Sequence, residues 1–186
     1  MPPKVKITKK DILSAALSLV REQGEAALGA RSIAGALGCS TQPIFSNFDT
    51  MEALSEAVTQ EAYEHYLGFL KAEAEREQYP KYKAFGMAYI RFAKEEKELF
   101  KFLFMRDRRG QELSPTADFE ASVEILMTSC NVSRETAKLM HLEMWTFVHG
   151  IATMLATAFL ELDWELISTM TSDVYQGIRA RYGKEI

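Results

Sequence analysis

The chain has 186 residues, of which 47% are hydrophobic and 26% charged. This composition is typical of a globular protein rather than a disordered one and suits one or two small domains with an apolar core. The formal net charge is −4, but the first 50 residues carry six basic and four acidic side chains, whereas the remainder carries 16 basic and 22 acidic ones. This asymmetry weakly favours a basic N-terminal part that contacts an anion, although chance also produces differences of this size.

Cysteine use and the N-terminal residues favour a cytoplasmic protein. Cys39 and Cys130 lie far apart and form no CxxC pair, which indicates buried thiols in a reducing compartment. The basic and apolar start superficially resembles a secretory signal. However, Arg21, Glu22 and Gln23 follow it directly, without a small-residue cleavage site.

An uncharged run of 17 residues, Met144–Leu160, is at the lower limit of membrane-spanning length. His149 lies near its middle, and Glu143 and Glu161 close its ends. A helix that is apolar on nearly all sides also suits an interface buried from two sides. We therefore expect this helix to form a subunit interface and expect no membrane partner.

The first predicted helix begins after Thr8, which forms a capping-box pattern with Asp11. Gly24 ends this helix, because glycine readily adopts the backbone conformation of a helix C-terminus. Apolar residues at spacings of three and four mark its buried face: Ile12, Leu13, Ala16, Leu17 and Val20.

Two short helices follow. The second helix spans about residues 30–37 and is broken by Gly38, and the third is predicted to be capped by Ser40 with Pro43 at its third position. Thr50 caps a long fourth helix that runs to about residue 77. A small core should hold the third helix in place: Ala34, Leu37, Cys39, Ile44 and Phe48.

The rest of the sequence also predicts helices, and period-two alternation is never sustained. Four or five more helices are expected, at about 80–94, 95–105, 115–130, 133–160 and 163–182, with a polar loop at 106–114. We therefore predict an all-α protein with an N-terminal three-helix helix-turn-helix domain, residues 1–50, joined by a linking helix to about 77. The larger C-terminal helical domain would comprise residues 51–186.

The run from Gly24 to Phe48 resembles the signature of the TetR family of transcription regulators without a gap. The matching anchors are Gly24, Arg31, Ile33, Ala34, Gly38, Ser40, Ile44 and Phe48, followed by Glu52, Ala53 and Leu54. The resemblance implies a homodimer whose two reading helices enter successive major grooves of a pseudo-palindromic operator in double-stranded DNA. It also implies a repressor that a small ligand releases, with residues 51–186 as the effector-binding and dimerisation domain. Trp145, His149 and Gly150 resemble the Trp-x-x-x-His-Gly pattern of one C-terminal subclass.

The resemblance, with the chemistry of helix N-termini, predicts the residues that contact DNA: Lys6, Lys9, Arg31, Ser40, Thr41, Gln42, Phe45, Asn47 and Thr50. A surface salt bridge is the alternative role for Arg31. Gly29, Phe45 and Met51 occupy positions where the family commonly has phosphate donors, which lowers the expected affinity. An arm that contains Lys4, Lys6, Lys9 and Lys10 would compensate.

Aromatic and methionine side chains crowd the middle of the chain. Most of them should fill the core, and a minority should line a cavity for an apolar or aromatic effector: Phe85, Tyr89, Phe102, Trp145 and His149. The predicted helix at 133–160 and the last helix form the expected dimer seam. With three histidines and no cluster at ligand spacing, neither a metal nor a cofactor is expected.

Two other classes of protein compete with a regulator. The sequence contains no GxSxG, no phosphate-binding glycine loop and no HExxH, which argues against an enzyme. A helical small-molecule-binding protein with weak or lost operator binding is the second alternative, because of Gly29, Phe45 and Met51.

Overall fold

The structure, a computed structural model, describes residues 7–106 and 117–183. These residues form α-helices and one short 3-10 turn, Glu25–Ala27, with no strand among them, so the all-α prediction is confirmed. The helices are α1 Lys9–Gln23, α2 Ala30–Ala36, α3 Gln42–Asn47, α4 Met51–Glu75, α5 Lys81–Glu95, α6 Lys97–Phe104, α7 Ala117–Cys130, α8 Arg134–Ala156 and α9 Trp164–Tyr182.

Side-chain caps start several helices where the sequence predicts them. Thr8 Oγ1 accepts from the Asp11 amide at 3.2 Å, and Asp11 Oδ2 accepts from the Thr8 amide at 2.8 Å, which completes the capping box of α1. Thr50 Oγ1 accepts from the Ala53 amide at 3.1 Å at the start of α4. Each cap satisfies an amide that has no partner within its helix.

The start of α3 differs from the prediction. Ser40 does not cap it: Thr41 is the N-cap residue, its side chain makes no capping hydrogen bond, and Pro43 is the second residue of the helix. The reason is that the carbonyl of Thr41 accepts the first α-helical hydrogen bond, from the Phe45 amide at 3.3 Å, as well as a bond from the Ile44 amide at 3.1 Å.

The end of α8 also differs, since the helix ends at Ala156 rather than near residue 160. The Phe159 amide donates to the Met154 carbonyl at 2.9 Å, and the Ala158 amide donates to the Leu155 carbonyl at 3.1 Å. These are the two hydrogen bonds of a Schellman motif, with Ala158 at φ 54° in the left-handed position. This motif turns the chain away from the helix axis.

The described residues divide into two compact units. The first comprises residues 7–67 with 96–106, and the second comprises 68–95 with 117–183. Thus α6 belongs to the first unit, although it lies between α5 and α7 in the sequence. The predicted domain boundary at residue 50 stays a prediction.

The first unit is held by an apolar core between α1, α2, α3, α4 and α6. Leu37 and Cys39 are half-buried rather than fully inside, and Cys39 is a free thiol, as is the half-buried Cys130 of the second unit. The fully buried core positions include Ile12, Ala16, Val20, Ile33, Ala34, Ile44, Phe48, Leu54, Val58, Leu99, Phe100 and Phe102.

In the second unit α8 packs against α5, α7 and α9. Its core includes Met87, Ile90, Phe92, Val123, Leu126, Met140, Met144, Ile151, Ala152 and Ile167. None of the described helices combines the length and apolar character needed to cross a membrane.

Candidate DNA-binding and effector sites

α3 presents one buried and one exposed face. Ile44 is 0% exposed and Phe48 is buried, so both anchor α3 in the core of the first unit. Between them Phe45 is 51% exposed, and Gln42 and Ser46 are exposed with it. Leaving an aromatic ring in water is unfavourable, which makes the outward face of α3 a candidate contact surface.

Arg31, Ser40 and Thr41 lie at the entrances of α2 and α3. Arg31 is exposed at the second position of α2, and in the described part of the chain it forms no ion pair. A salt bridge therefore does not occupy its guanidinium there. Ser40 is exposed and Thr41 is half-buried.

Three predicted contact residues also have roles within the first unit. Asn47 Nδ2 donates to the Pro43 carbonyl at 2.7 Å, which leaves one of its two amide protons for another acceptor. Thr50 caps α4. Lys9 Nζ lies 4.9 Å from the centre of the Phe48 ring, which orients its stem along the apolar core.

Several expected features of the DNA-contact region lie outside the described residues or offer no donor. Lys4 and Lys6 lie outside the described residues. Most of the predicted loop at 106–114 also lies outside them, since residues 107–116 are not described. Gly29 is the N-cap residue of α2 without a side-chain bond, and Met51 is half-buried at the start of α4.

A buried carboxylate, which sequence reasoning missed, joins three helices of the first unit. Glu96, with 5% of its side chain exposed, precedes α6 and accepts from Arg21 Nε of α1 at 2.6 Å. Arg21 Nη2 bonds to its other oxygen, from which His65 Nε2 of α4 is 3.3 Å away. The partners are 31 and 75 residues apart, so no local pattern in the sequence indicates this cluster.

Four of the five predicted effector residues lie in the second unit. Tyr89 Oη of α5 is 2.8 Å from His149 Nδ1 of α8, and the Trp145 ring stacks on His149 at 4.9 Å with an interplanar angle of 19°. Phe85 is half-buried one turn before Tyr89. Phe102 belongs to α6 of the first unit and is buried in its core.

A second tyrosine–histidine pair repeats this arrangement two turns earlier. Tyr82 Oη of α5 is 3.1 Å from His141 Nδ1 of α8, and the Phe119 ring of α7 meets the His141 ring edge-on at 5.1 Å. Thr153 Oγ1, one turn beyond His149, is buried with no hydrogen-bond partner in the described structure. The spacing of four residues along 141, 145, 149 and 153 is the sequence signal that could have placed Thr153 on the same helix face as the histidines. No sequence signal placed Phe119 beside them.

Burial makes these groups neutral. It raises the pKa of Tyr82 and Tyr89 and lowers the pKa of His141 and His149, because a low-dielectric environment disfavours phenolate and imidazolium. The Asp118 carboxylate raises the pKa of Tyr89 further, whereas at His141 it partly offsets the lowering of the pKa by burial. We call Tyr82, Tyr89, His141, Trp145 and His149 the aromatic row. At neutral pH this row therefore offers aromatic faces and uncharged hydrogen-bonding groups. Among the described residues no group of three or more His, Cys, Asp or Glu side chains is placed to hold a metal ion.

Comparisons with known proteins agree with this architecture. Residues 82–170 match the protein-family model of the tetracyclin repressor-like C-terminal domain. A protein of unknown function from Rhodococcus sp. RHA1 superposes with a TM-score of 0.73 at 18% identity, covering 99% of this chain and all of that one. A protein assigned to the TetR family of transcriptional regulators, from Vibrio parahaemolyticus, gives 0.62 at 17% identity, covering 90% of this chain and 96% of that one. No curated protein matches the chain.

The helix-turn-helix of the first unit and the matched C-terminal domain together support a transcription regulator. The similar structures show the fold. Residues 82–170 of the chain are therefore similar to the C-terminal domain of tetracyclin repressor-like proteins.

Proposed function

We propose that this regulator binds a pseudo-palindromic operator in double-stranded DNA as a homodimer and that a small effector releases it. The observation that carries DNA binding is the exposed Phe45 between the buried Ile44 and Phe48. The core fixes α3 while its outer face stays available for a major groove, where Phe45 would contact a thymine methyl group or a sugar and Gln42 an adenine edge.

Phosphate contacts position such a helix on the duplex. Arg31 supports the proposal because it is exposed and forms no ion pair in the described structure. Lys9, at the first turn of α1, adds a second cation on the same unit. Each such contact that forms releases a counterion and contributes about one unit to the log–log salt dependence of binding.

Dimerisation through α8 and α9 is supported by apolar side chains that a single chain leaves in water. Leu142 is 53% exposed, and Leu139, Met154 and Leu166 are exposed as well. Covering them with a second copy removes this apolar area from water. Leu142→Glu should give a monomer with weakened operator binding, and Thr128→Glu, an exposed position on α7, is the matched control. Sedimentation velocity measures the mass of both.

Effector binding is supported by the neutral aromatic row around Tyr89, Trp145 and His149. Aromatic walls with a few polar groups are typical of small-molecule sites. An effector bound there would shift the population between DNA-binding and released conformations if it binds the released one more tightly.

The decisive experiment is an unbiased selection of bound DNA with the full chain, with and without cell extract. A palindromic consensus whose enrichment the extract abolishes is the expected result. Salt titration on that operator then compares Arg31→Ala with Lys94→Ala, an exposed cation on α5. Arg31→Ala should lower the salt slope by about one, and Lys94→Ala should leave it unchanged.

No preference over random DNA at moderate salt would refute the operator-binding regulator. A protein that binds small molecules without reading an operator would then be the remaining function for this fold. If the protein binds an operator but cell extract does not change the binding, the proposed DNA binding is retained and the proposed effector response is refuted.

A further inference from the structure

We propose that α8 packs antiparallel against α8 of a second copy of the chain, with the two-fold axis of the dimer at Gly150. This inference rests on the proposed homodimer and specifies which residues meet in it. The reasons are the distribution of exposed apolar side chains, the open space at Gly150 and the charges at the two ends of the exposed face.

Most of the large apolar side chains that the described structure exposes lie on α8, on the turn after it or on α9. Between 38% and 80% of each is exposed, which leaves on the order of 600 Å² of apolar surface in water per copy. A stable interface takes about 800 Å² from each partner, of which about 60% is apolar. The exposed apolar area is therefore sufficient for a stable dimer. The side chains are Leu139, Leu142, Trp145, Met154, Phe159, Leu160 and Leu166.

These side chains are distributed evenly about Gly150. Leu142 lies eight residues before it and Phe159 nine residues after it. Leu139 lies eleven residues before it and Leu160 ten residues after it. In a two-fold dimer the same surface of both copies meets, so a residue before the axis contacts one that lies equally far after it in the other copy. An apolar face with this symmetry is complementary to itself, which favours a second copy over a different partner.

Gly150 permits a close approach of two helices at this centre. It is half-buried, and a Cβ added there would meet no neighbouring group of the described structure within 4 Å. Packing within the chain therefore does not require glycine at this position, although glycine destabilises a helix interior. The distance between packed helices depends on the side chains at their contact. Leu142, Thr146 and Met154 are exposed and share a side of α8 with Gly150, since the four recur every four residues.

Opposite charges lie at the two ends of this face. Lys138 is twelve residues before Gly150, and Glu161 is eleven residues after it. Both are exposed, and neither forms an ion pair in the described part of the chain. In the antiparallel arrangement Lys138 lies opposite the partner subunit's Glu161, and the two-fold axis makes this pair twice. Such charge complementarity fixes the orientation of two surfaces.

Disulfide cross-linking tests the register on the full chain, with Cys39→Ser and Cys130→Ser to remove the two native thiols. Thr146 and Met154 lie four residues on either side of Gly150, so Thr146 should face the partner subunit's Met154. Thr146→Cys combined with Met154→Cys should therefore give covalent dimers under mild oxidation. Within one chain the two positions are about 12 Å apart along the helix, which is too far for a disulfide.

Cysteine variants that are out of register are the controls. Thr146→Cys alone leaves the two thiols of a dimer about 12 Å apart along the helix. Leu139→Cys combined with Met154→Cys uses two exposed positions of α8 but places them about 10 Å out of register. Each control should form covalent dimers at less than about a tenth of the rate of the in-register pair.

Added bulk tests the crossing point separately from helix stability. Gly150→Leu should raise the dissociation constant of the dimer about tenfold or more, because the added side chain overpacks the contact between the helices. Gly68→Leu, at an exposed position of α4 that also has open space around a Cβ, is the matched control and should leave the constant unchanged. Leucine favours a helix more than glycine does, so far-UV circular dichroism should show no loss of helix in either variant.

Charge reversal tests the arrangement without a cysteine or added bulk. Lys138→Glu should raise the dissociation constant about tenfold, because like charges then face each other twice in the dimer. Adding Glu161→Lys should restore the constant, and the effect of Lys138→Glu should shrink at high salt. Lys94→Glu, an exposed position on α5, controls for the change of net charge. Sedimentation velocity over a range of protein concentrations measures each constant.

The outcomes keep the two proposals apart. Covalent dimers of the in-register pair alone, with recovery by the charge swap, support a crossing at Gly150. If sedimentation shows a dimer but the out-of-register pair cross-links at least as fast, or neither pair cross-links, this inference is overturned and the proposed homodimer is retained. A chain that stays monomeric at every concentration refutes both.

Discussion

Arg21 of α1 donates from Nε and Nη2 to the two oxygens of the Glu96 carboxylate, which is almost completely buried before α6. The bond with Glu96 raises the pKa of Arg21, as expected when a guanidinium is paired with a carboxylate. This contact joins the first helix of the helix-turn-helix unit to a helix that lies more than 70 residues later in the sequence.

Arg21→Met should lower the free energy of unfolding by about 1–3 kcal/mol, because a buried carboxylate then loses a charged partner. Denaturant unfolding measures the change. Arg31→Met, which breaks no ion pair in the described structure, should change stability by less than about 0.5 kcal/mol. Adding Glu96→Gln to Arg21→Met should recover part of the loss; equal stability of the three variants would show that the carboxylate is not buried in solution.

Ile44 and Phe45 are neighbours on α3 with opposite roles. Ile44→Ala should destabilise the fold by about 2–5 kcal/mol because it empties a fully buried position. Phe45→Ala should change stability by less than about 0.5 kcal/mol and yet weaken binding to the selected operator. Unfolding curves and operator titrations of both variants check this, and a Phe45→Ala variant with unchanged affinity would place the DNA contact elsewhere.

Gly24 and Gly38 should differ in their tolerance of a side chain. Gly24 combines φ 82° with ψ 177°, a region essentially restricted to glycine, and a Cβ there would meet Glu98 Oε2 at 2.8 Å. Gly38 has φ 63° and open space around it. Gly24→Ala should therefore cost about 1–3 kcal/mol and Gly38→Ala about 1 kcal/mol, with Gly38→Asn milder still. Thermal unfolding of the three variants tests this order of stability losses. A smaller loss for Gly24→Ala than for Gly38→Ala would contradict it.

Ala158 occupies the left-handed position at the end of α8, with φ 54°. Ala158→Gly removes a Cβ from a conformation that costs an L-residue about 1–2 kcal/mol, offset by the larger entropy of glycine in the unfolded chain. The variant should be more stable by about 0.5 kcal/mol. Ala156→Gly, two residues earlier and inside the helix, should instead destabilise, and both are measured by thermal unfolding.

Stability should fall as the pH is lowered from 7 to 5.5. Burial lowers the pKa of His141 and His149, with Asp118 partly offsetting this at His141. The unfolded chain then binds protons that the folded chain does not, so their contribution is complete above the unfolded pKa of about 6.5 and is lost as the pH falls toward the lowered folded values. The slope is at most about 1.4 kcal/mol per pH unit for each histidine.

Replacing both histidines, with His141→Gln and His149→Gln, should flatten this part of the profile of unfolding free energy against pH. Carboxylates titrate mainly below the chosen range, so they contribute little to it. A slope that the double variant retains in full would assign the pH dependence to other groups.

The sequence by itself determined the helices and the reading unit. The signals that it used act between residues at most a few positions apart. They are the caps at Thr8 and Thr50, the helix ends at Gly24 and Gly38, and the apolar spacing of three and four. Such signals are visible in one dimension. The start of α3 and the end of α8 were less well predicted. Thr41 starts α3 and Ala158 ends α8 through backbone conformations that their side chains do not signal.

Only the tertiary structure decided which distant side chains meet. It grouped α6 with the first unit, brought Glu96 to Arg21, and paired Tyr82 and Tyr89 with His141 and His149. Periodicity identifies which face of a helix is buried but not which helix covers it, because that choice depends on packing between segments far apart in sequence. The aromatic row was therefore predictable along α8, whereas its partners on α5 and α7 followed only from how the helices pack.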